Sequence, residues 1–189
     1  MGILIIVSQE FPRLILKNTL FKIYLGSCLF WVCSPVLAQN AVSTVVSIGD
    51  GDTLRIRKAG QVSTIRLACV DAPERAQSPW GQQSTSRLKQ LLPPGKVVQV
   101  REITRDRYGR TVAELYLGKQ SVNLQMVKEG QAVIYRQYLN GCAANKDQYL
   151  QAEAQAKRQR LGFWSQKLPV MPWDYRRGKR NSKPYKSIL

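Results

Sequence analysis

Between Val42 and Leu117 the sequence returns again and again to short runs in which apolar and polar residues alternate. A period of two sends successive side chains to opposite faces, so such runs fold as strands with one face against a core. Val42 to Ile48 is β-branched and apolar. From Thr53 to Arg57, Leu54 and Ile56 fall on one face and Arg55 and Arg57 on the other. Lys58-Ala59-Gly60-Gln61 reads as a hairpin turn, followed by strands at Ser63 to Val70, Val97 to Ile103 and Thr111 to Leu117. Short strands joined by glycine-containing turns predict a small closed barrel, an α+β chain that is mainly β.

Three helices fit around these strands. Ser78-Pro79 signals a start, with Ser as N-cap and Pro at the first helical position. Trp80, Ser84, Leu88 and Leu91 then recur at helical spacing until Pro93-Pro94-Gly95 ends the run. A shorter helix spans residues 121–129 and stops at Gly130. A third runs from about Asn145 to Leu161, with Leu150, Ala154 and Leu161 on its apolar stripe and Gly162 as its stop.

The chain of 189 residues carries 29 Lys and Arg against 12 Asp and Glu, a formal net charge of +17, and no histidine. Such a surface attracts polyanions, with nucleic acid the first candidate and an anionic membrane the second. The missing histidine excludes Ser-His-Asp hydrolases and histidine-ligated zinc or iron. Catalysis must then rest on carboxylates, Arg, Lys, Tyr or a hard metal held by oxygen.

Residues 1–38 read as a secretory signal peptide: Lys17 and Lys22, an apolar run from Ile23 to Cys33, then Val36-Leu37-Ala38 as a small-residue cleavage signal. Cleavage after Ala38 leaves an exported, secreted or periplasmic chain. The alternative is an uncleaved membrane anchor, and the leader itself makes transient membrane contact. The leader holds only Arg13, Lys17, Lys22 and Glu10, so the charge excess belongs to the remainder. Cys69, placed in a strand, and Cys142, placed in a loop, survive cleavage, and an oxidising compartment permits a disulfide between them. The functional domain is read at 39–168. Residues 169–189, rich in Pro, Lys and Arg and without periodicity, read as a basic tail that is partly ordered at most.

Three segments carry the chemistry. Gly49-Asp50-Gly51-Asp52-Thr53 precedes a strand and, alone, is a tight turn. Arg66-Leu67-Ala68-Cys69-Val70-Asp71-Ala72-Pro73-Glu74 puts Ile65, Leu67 and Cys69 on one strand face, Arg66 on the other, and two carboxylates just past the strand end. Those carboxylates are either hard ligands with a general base or a solvated loop whose Asp caps a turn. Arg105-Asp106-Arg107-Tyr108-Gly109-Arg110 links two strands and suits phosphate contact and base stacking, or is an exposed basic hairpin.

The order Asp-Gly-Asp-Thr, a strand Arg five residues before Asp-x-Pro-Glu, then Asp-Arg-Tyr-Gly-Arg resembles the staphylococcal nuclease (thermonuclease) family. The resemblance runs from about Val45 to Trp164, including Ala152-Glu153-Ala154-Gln155-Ala156-Lys157 and Gly162-Phe163-Trp164. It implies a five-stranded OB-fold barrel with three helices. It also implies a Ca2+ held by Asp52, Asp71 and the Ala72 carbonyl, where the family archetype has Thr at the Ala72 position. Glu74 matches the general base, and Arg66 and Arg110 match the two arginines that grip the phosphate. Tyr108 and Tyr135 match positions near the substrate, with Arg107 beside them; Tyr135 reads equally as a core or groove aromatic.

The implied activity is calcium-dependent, sugar-nonspecific endonucleolytic hydrolysis of DNA and RNA to 3′-phosphate and 5′-hydroxyl ends; the pattern is compatible with a monomer, and the sequence points to no protein partner. Two rival readings are an OB-fold that holds single strands without cutting, and a membrane-tethered protein that uses its charge at the envelope. A pure binder has no use for Asp52, Asp71 and Glu74, which repel phosphate in the absence of a metal.

Overall fold

The structure, a computed structural model, describes residues 42–179. The leader expected at 1–38 and the last part of the expected basic tail, 180–189, lie outside the described residues.

Among the described residues eight strands form: β1 Ser43–Ile48, β2 Thr53–Lys58, β3 Gln61–Leu67, β4 Val70–Asp71, β5 Val97–Arg105, β6 Thr111–Leu117, β7 Gln120–Ser121 and β8 Val133–Ile134. β1 pairs antiparallel with both β2 and β5, β2 with β3, and β5 with β6. β3 then pairs with β6 in parallel and closes a five-stranded barrel. Closure leaves these strands no open edge. The alternating apolar residues fill it as expected: Val45, Leu54, Ile56, Ile65, Leu67, Val98, Ala113 and Leu115 are all buried. Each such Val, Leu or Ile side chain contributes about 1.5–3 kcal/mol of transfer free energy.

Four helices of the described residues pack around the barrel: α1 Trp80–Leu91, α2 Val122–Lys128, α3 Lys146–Arg158 and α4 Pro172–Arg176. Between β8 and α3 lies a 3-10 segment, Arg136–Asn145. The sequence expectations need correction at four points. Pro79 itself takes the N-cap position of α1, so Ser78 is not the cap. The strand expected to run unbroken to Val70 stops at Leu67, because Cys69 turns into the left-handed region (φ 66°), and β4 resumes after it. Cys69 therefore sits in a turn and not in a strand.

The third correction concerns α3, whose buried face is Tyr149, Ala152, Glu153 and Ala156, with Ala154 exposed. Two of those buried residues are polar, and each has partners that make its burial tolerable. The Tyr149 hydroxyl donates to Glu114 Oε1 (2.8 Å). Glu153 accepts from the Ile134 N–H (2.9 Å) and from Lys157 Nζ (2.9 Å). The fourth correction is α4, a helix where the sequence showed no periodicity.

Cys69 and Cys142 are joined in a disulfide with Cα atoms 6.3 Å apart, tying the 3-10 segment to the turn just before β4.

Candidate active site

Asp52 closes the β1–β2 turn. Its N–H donates to Asp50 Oδ1 (3.1 Å), and the Asp-Gly turn fixes it at the start of β2. Gly51 is required there: a Cβ on it would lie 2.6 Å from Ala72 Cβ and 2.1 Å from Ser84 Oγ. The turn is thereby pressed against the Asp71–Glu74 segment and α1. Asp52 Oδ2 accepts from the Ala72 N–H (2.7 Å), which joins the first two motifs directly.

Arg66 projects from β3, opposite Thr53 of β2. Its Nη1 meets Asp52 Oδ2 and its Nη2 meets Asp71 Oδ1, each at 2.5 Å. One rigid guanidinium thus bridges two buried carboxylates. Asp71 is completely buried, whereas the Glu74 side chain is 35% exposed and reaches the mouth of the site. Gly81, at the start of α1, lets that helix pack on Glu74, since a Cβ there would fall 2.0 Å from the Glu74 carbonyl oxygen. The Glu74 N–H is held by Gln77 Oε1 (2.8 Å).

Burial pushes the Asp52 carboxyl up, and Asp50 and Asp71 add to it while Arg66 opposes, so that its pKa stands at about 7. Burial acts to lower the Arg66 guanidinium, but Asp52 and Asp71 outweigh it and hold the group above its ordinary value. Among the described residues no three acidic side chains converge as a ready-made cage for a metal ion. The donor chemistry nonetheless fits a hard cation, since every candidate ligand is oxygen and the buried carboxylates already draw cations onto themselves.

A second cluster forms at the β5–β6 turn. Arg110 donates from Nε to Asp106 Oδ2 (2.7 Å), and its N–H to Asp106 Oδ1 (3.0 Å). Arg107 and Arg110 lie 4.9 Å and 5.5 Å from the centre of the Tyr108 ring, which is 68% exposed. The parallel β3–β6 register sets Val112 beside Arg66, and Arg110 stands just ahead of β6, two residues before Val112. Tyr135 follows β8, which pairs with β4 so that Ile134 faces Val70 and Val133 faces Asp71. The Tyr135 N–H donates to the Cys69 carbonyl (2.9 Å). The Tyr135 ring is partly buried and packs edge-on against Tyr138, with centroids 4.8 Å apart.

One residue in contact with these carboxylates has no counterpart in the sequence reading. Arg176, from α4, lies on both Asp71 and Glu74. No signal in the sequence marks it, because it belongs to a stretch without periodicity and meets residues about a hundred positions earlier.

A closed five-stranded barrel with carboxylates and arginines gathered at the end of β3 defines the class to which this chain is compared. The family model described as Staphylococcal nuclease homologue matches residues 64–166. An "uncharacterized endonuclease" of Haemophilus influenzae is 40% identical over 159 residues, covering 82% of this chain and 85% of that protein. A "micrococcal nuclease" of Shigella flexneri is 39% identical over 147 residues, covering 73% of this chain and 82% of that protein. The chain belongs to the staphylococcal nuclease homologue family.

Proposed function

We propose that this protein is an exported, calcium-dependent endonuclease that hydrolyses phosphodiester bonds of DNA and RNA. The single observation that carries the reading is Arg66 bridging two buried carboxylates, Asp52 and Asp71, with a half-exposed Glu74 three residues further on. Family membership and relatives named as endonucleases support it. So does the surplus of positive charge, which concentrates polyanionic substrate.

Each residue then has a task. Asp52, Asp71 and the Ala72 carbonyl hold the metal. Bound there, Ca2+ supplies Lewis acidity and orients the phosphate. Glu74 accepts a proton from water at a carboxylate oxygen as that water attacks phosphorus. Arg66 and Arg110 bond the phosphate oxygens as charge builds on them, a stabilisation greater in the transition state than in the ground state. The bond to the 5′-oxygen breaks, and the departing oxygen takes up a proton from solvent water, leaving 3′-phosphate and 5′-hydroxyl ends. Tyr108 and Tyr135 offer ring faces to bases or sugars, and Arg107 adds charge along the strand. Nothing in this set reads a base edge, which fits action on both DNA and RNA. The leader and the Cys69–Cys142 disulfide support export to an oxidising compartment.

The test is incubation of the purified protein with single-stranded DNA, double-stranded DNA and RNA, in calcium and in excess chelator. Cutting in calcium that stops with chelator is expected. Cutting that survives chelation contradicts the mechanism, and binding of all three substrates without cutting identifies a non-catalytic OB-fold.

A further inference from the structure

The described chain continues past the segment matched by the family, and its last helix lies on the residues assigned to catalysis. Arg176 donates from Nη1 to Asp71 Oδ1 (3.0 Å) and from Nη2 to Asp71 Oδ2 (2.8 Å). The same Nη1 also donates to Glu74 Oε1 (2.6 Å). The Trp173 ring stacks on Tyr135 with centroids 5.3 Å apart and planes within 12°. Between them the Tyr175 hydroxyl donates to the Ala76 carbonyl (3.1 Å). A cation thus sits on the carboxylates, and a flat aromatic ring on Tyr135.

We propose that Trp173–Arg176 is an internal occupant of the catalytic groove, with Arg176 in the place of a metal cation on Asp71 and Glu74 and Trp173 in the place of a base on Tyr135, and that calcium and nucleic acid displace it. The inference rests on the nuclease reading above. A bidentate fork takes up both Asp71 oxygens, and a guanidinium there repels an incoming divalent ion. A ring stacked on Tyr135 covers a face that a base would use.

The segment is built to be displaced. Its anchor is separate: Met171 is buried beside Phe163 and Trp164, and Gln77 Nε2 donates to the Val170 carbonyl (2.9 Å). Beyond Pro172, Trp173 and Tyr175 are only half-buried and Arg176 is exposed. Five helical residues have little stability of their own. Opening therefore gives up a few contacts and leaves the anchor in place. Because one opening serves both ligands, calcium binding must promote nucleic-acid binding, and the reverse.

The test uses the full chain and four variants: Arg176→Ala, Arg176→Lys, Trp173→Ala and, as a neighbouring charge control, Arg177→Ala. Calcium affinity is measured by titration calorimetry without nucleic acid, and melting curves establish that each variant is folded. Arg176→Ala is expected to bind calcium about tenfold tighter or more, the order of a lost charge-assisted pair. Arg176→Lys should fall between, and Arg177→Ala should match the unaltered chain. Trp173→Ala should bind a short oligothymidylate several-fold tighter in chelator, read by fluorescence anisotropy. Calcium affinity of Arg176→Ala within twofold of the unaltered chain overturns the proposal, as does weaker oligonucleotide binding by Trp173→Ala. Calcium-dependent cutting by the same preparations separates the two readings: if it is present while affinities do not move, the nuclease reading stands and the internal occupant fails. If no preparation binds calcium or cuts, both fail.

Discussion

Arg66 and Asp71 lie five residues apart in sequence, on either side of the left-handed turn at Cys69, and meet at 2.5 Å. The turn brings Asp71 back towards a side chain that leaves the barrel strand, and the second guanidinium nitrogen reaches Asp52. Replacing Arg66 by Ala removes a phosphate ligand and leaves the buried Asp52 without its ion-pair partner, while Asp71 keeps Arg176. Cleavage should fall at least about 10²-fold, on the scale of a lost oxyanion donor. Stability should fall by about 3 kcal/mol or more, as for a broken buried pair. Arg66→Lys should rescue neither fully, because one ammonium cannot span both acids. Single-turnover rates and urea unfolding of the two variants check this.

Gly81 should not tolerate alanine. In an exposed helix that change stabilises by up to about 1 kcal/mol. Here the added Cβ would lie 2.0 Å from the Glu74 carbonyl oxygen, so α1 must move or Glu74 must shift. Gly81→Ala should lower the melting temperature and also slow cleavage, with the loss in kcat larger than any change in KM. Steady-state kinetics beside a thermal melt measure both.

The candidate site segments are legible because they are local. Asp52, Arg66, Asp71 and Glu74 announce themselves by type and spacing, and the alternation in β1, β2, β3 and β6 revealed the barrel's inner face. Pairings between distant segments were not legible. Nothing in the residues of β3 and β6 shows that they pair in parallel. The buried stripe of α3 was displaced because Tyr149 and Glu153 look like surface residues until Glu114, Ile134 and Arg136 are found opposite them. The segment carrying Arg176 looked like a solvated basic tail, since a five-residue helix is too short to show a period.

Glu114 should set part of the acid limit of the fold. Its carboxylate is fully buried and accepts from Arg101, Tyr116, Asn145 and Tyr149. Burial acts to raise its pKa, but these donors together hold it below the ordinary value of 4.5. A carboxyl lowered in the folded state stabilises the protein fully above that ordinary value and loses its contribution as pH falls through the folded one. Unfolding free energy should therefore drop as pH falls below 4.5, and Glu114→Gln should flatten the drop while lowering stability at neutral pH. Urea titrations across that range test the sign.

The Cys69–Cys142 disulfide closes a loop with a sequence separation of 73 residues. By loop-closure entropy its removal should cost about 4 kcal/mol. Because Cys69 lies two residues before Asp71, the Cys69→Ser/Cys142→Ser double variant should also bind calcium more weakly. Urea midpoints with and without reductant, and calcium titration of the double variant, check the two effects separately.

The most direct measurement of the central claim is single-turnover cleavage of an end-labelled oligonucleotide by Glu74→Gln in saturating calcium, beside the unaltered protein. Glutamine keeps the shape and the Gln77 contact but cannot take a proton from water. The expected result is a rate reduced by about 10²-fold or more, within the range of general-base catalysis, with unaltered folding and 3′-phosphate ends on the residual product. A Glu74→Gln rate within threefold of the unaltered protein would contradict the account.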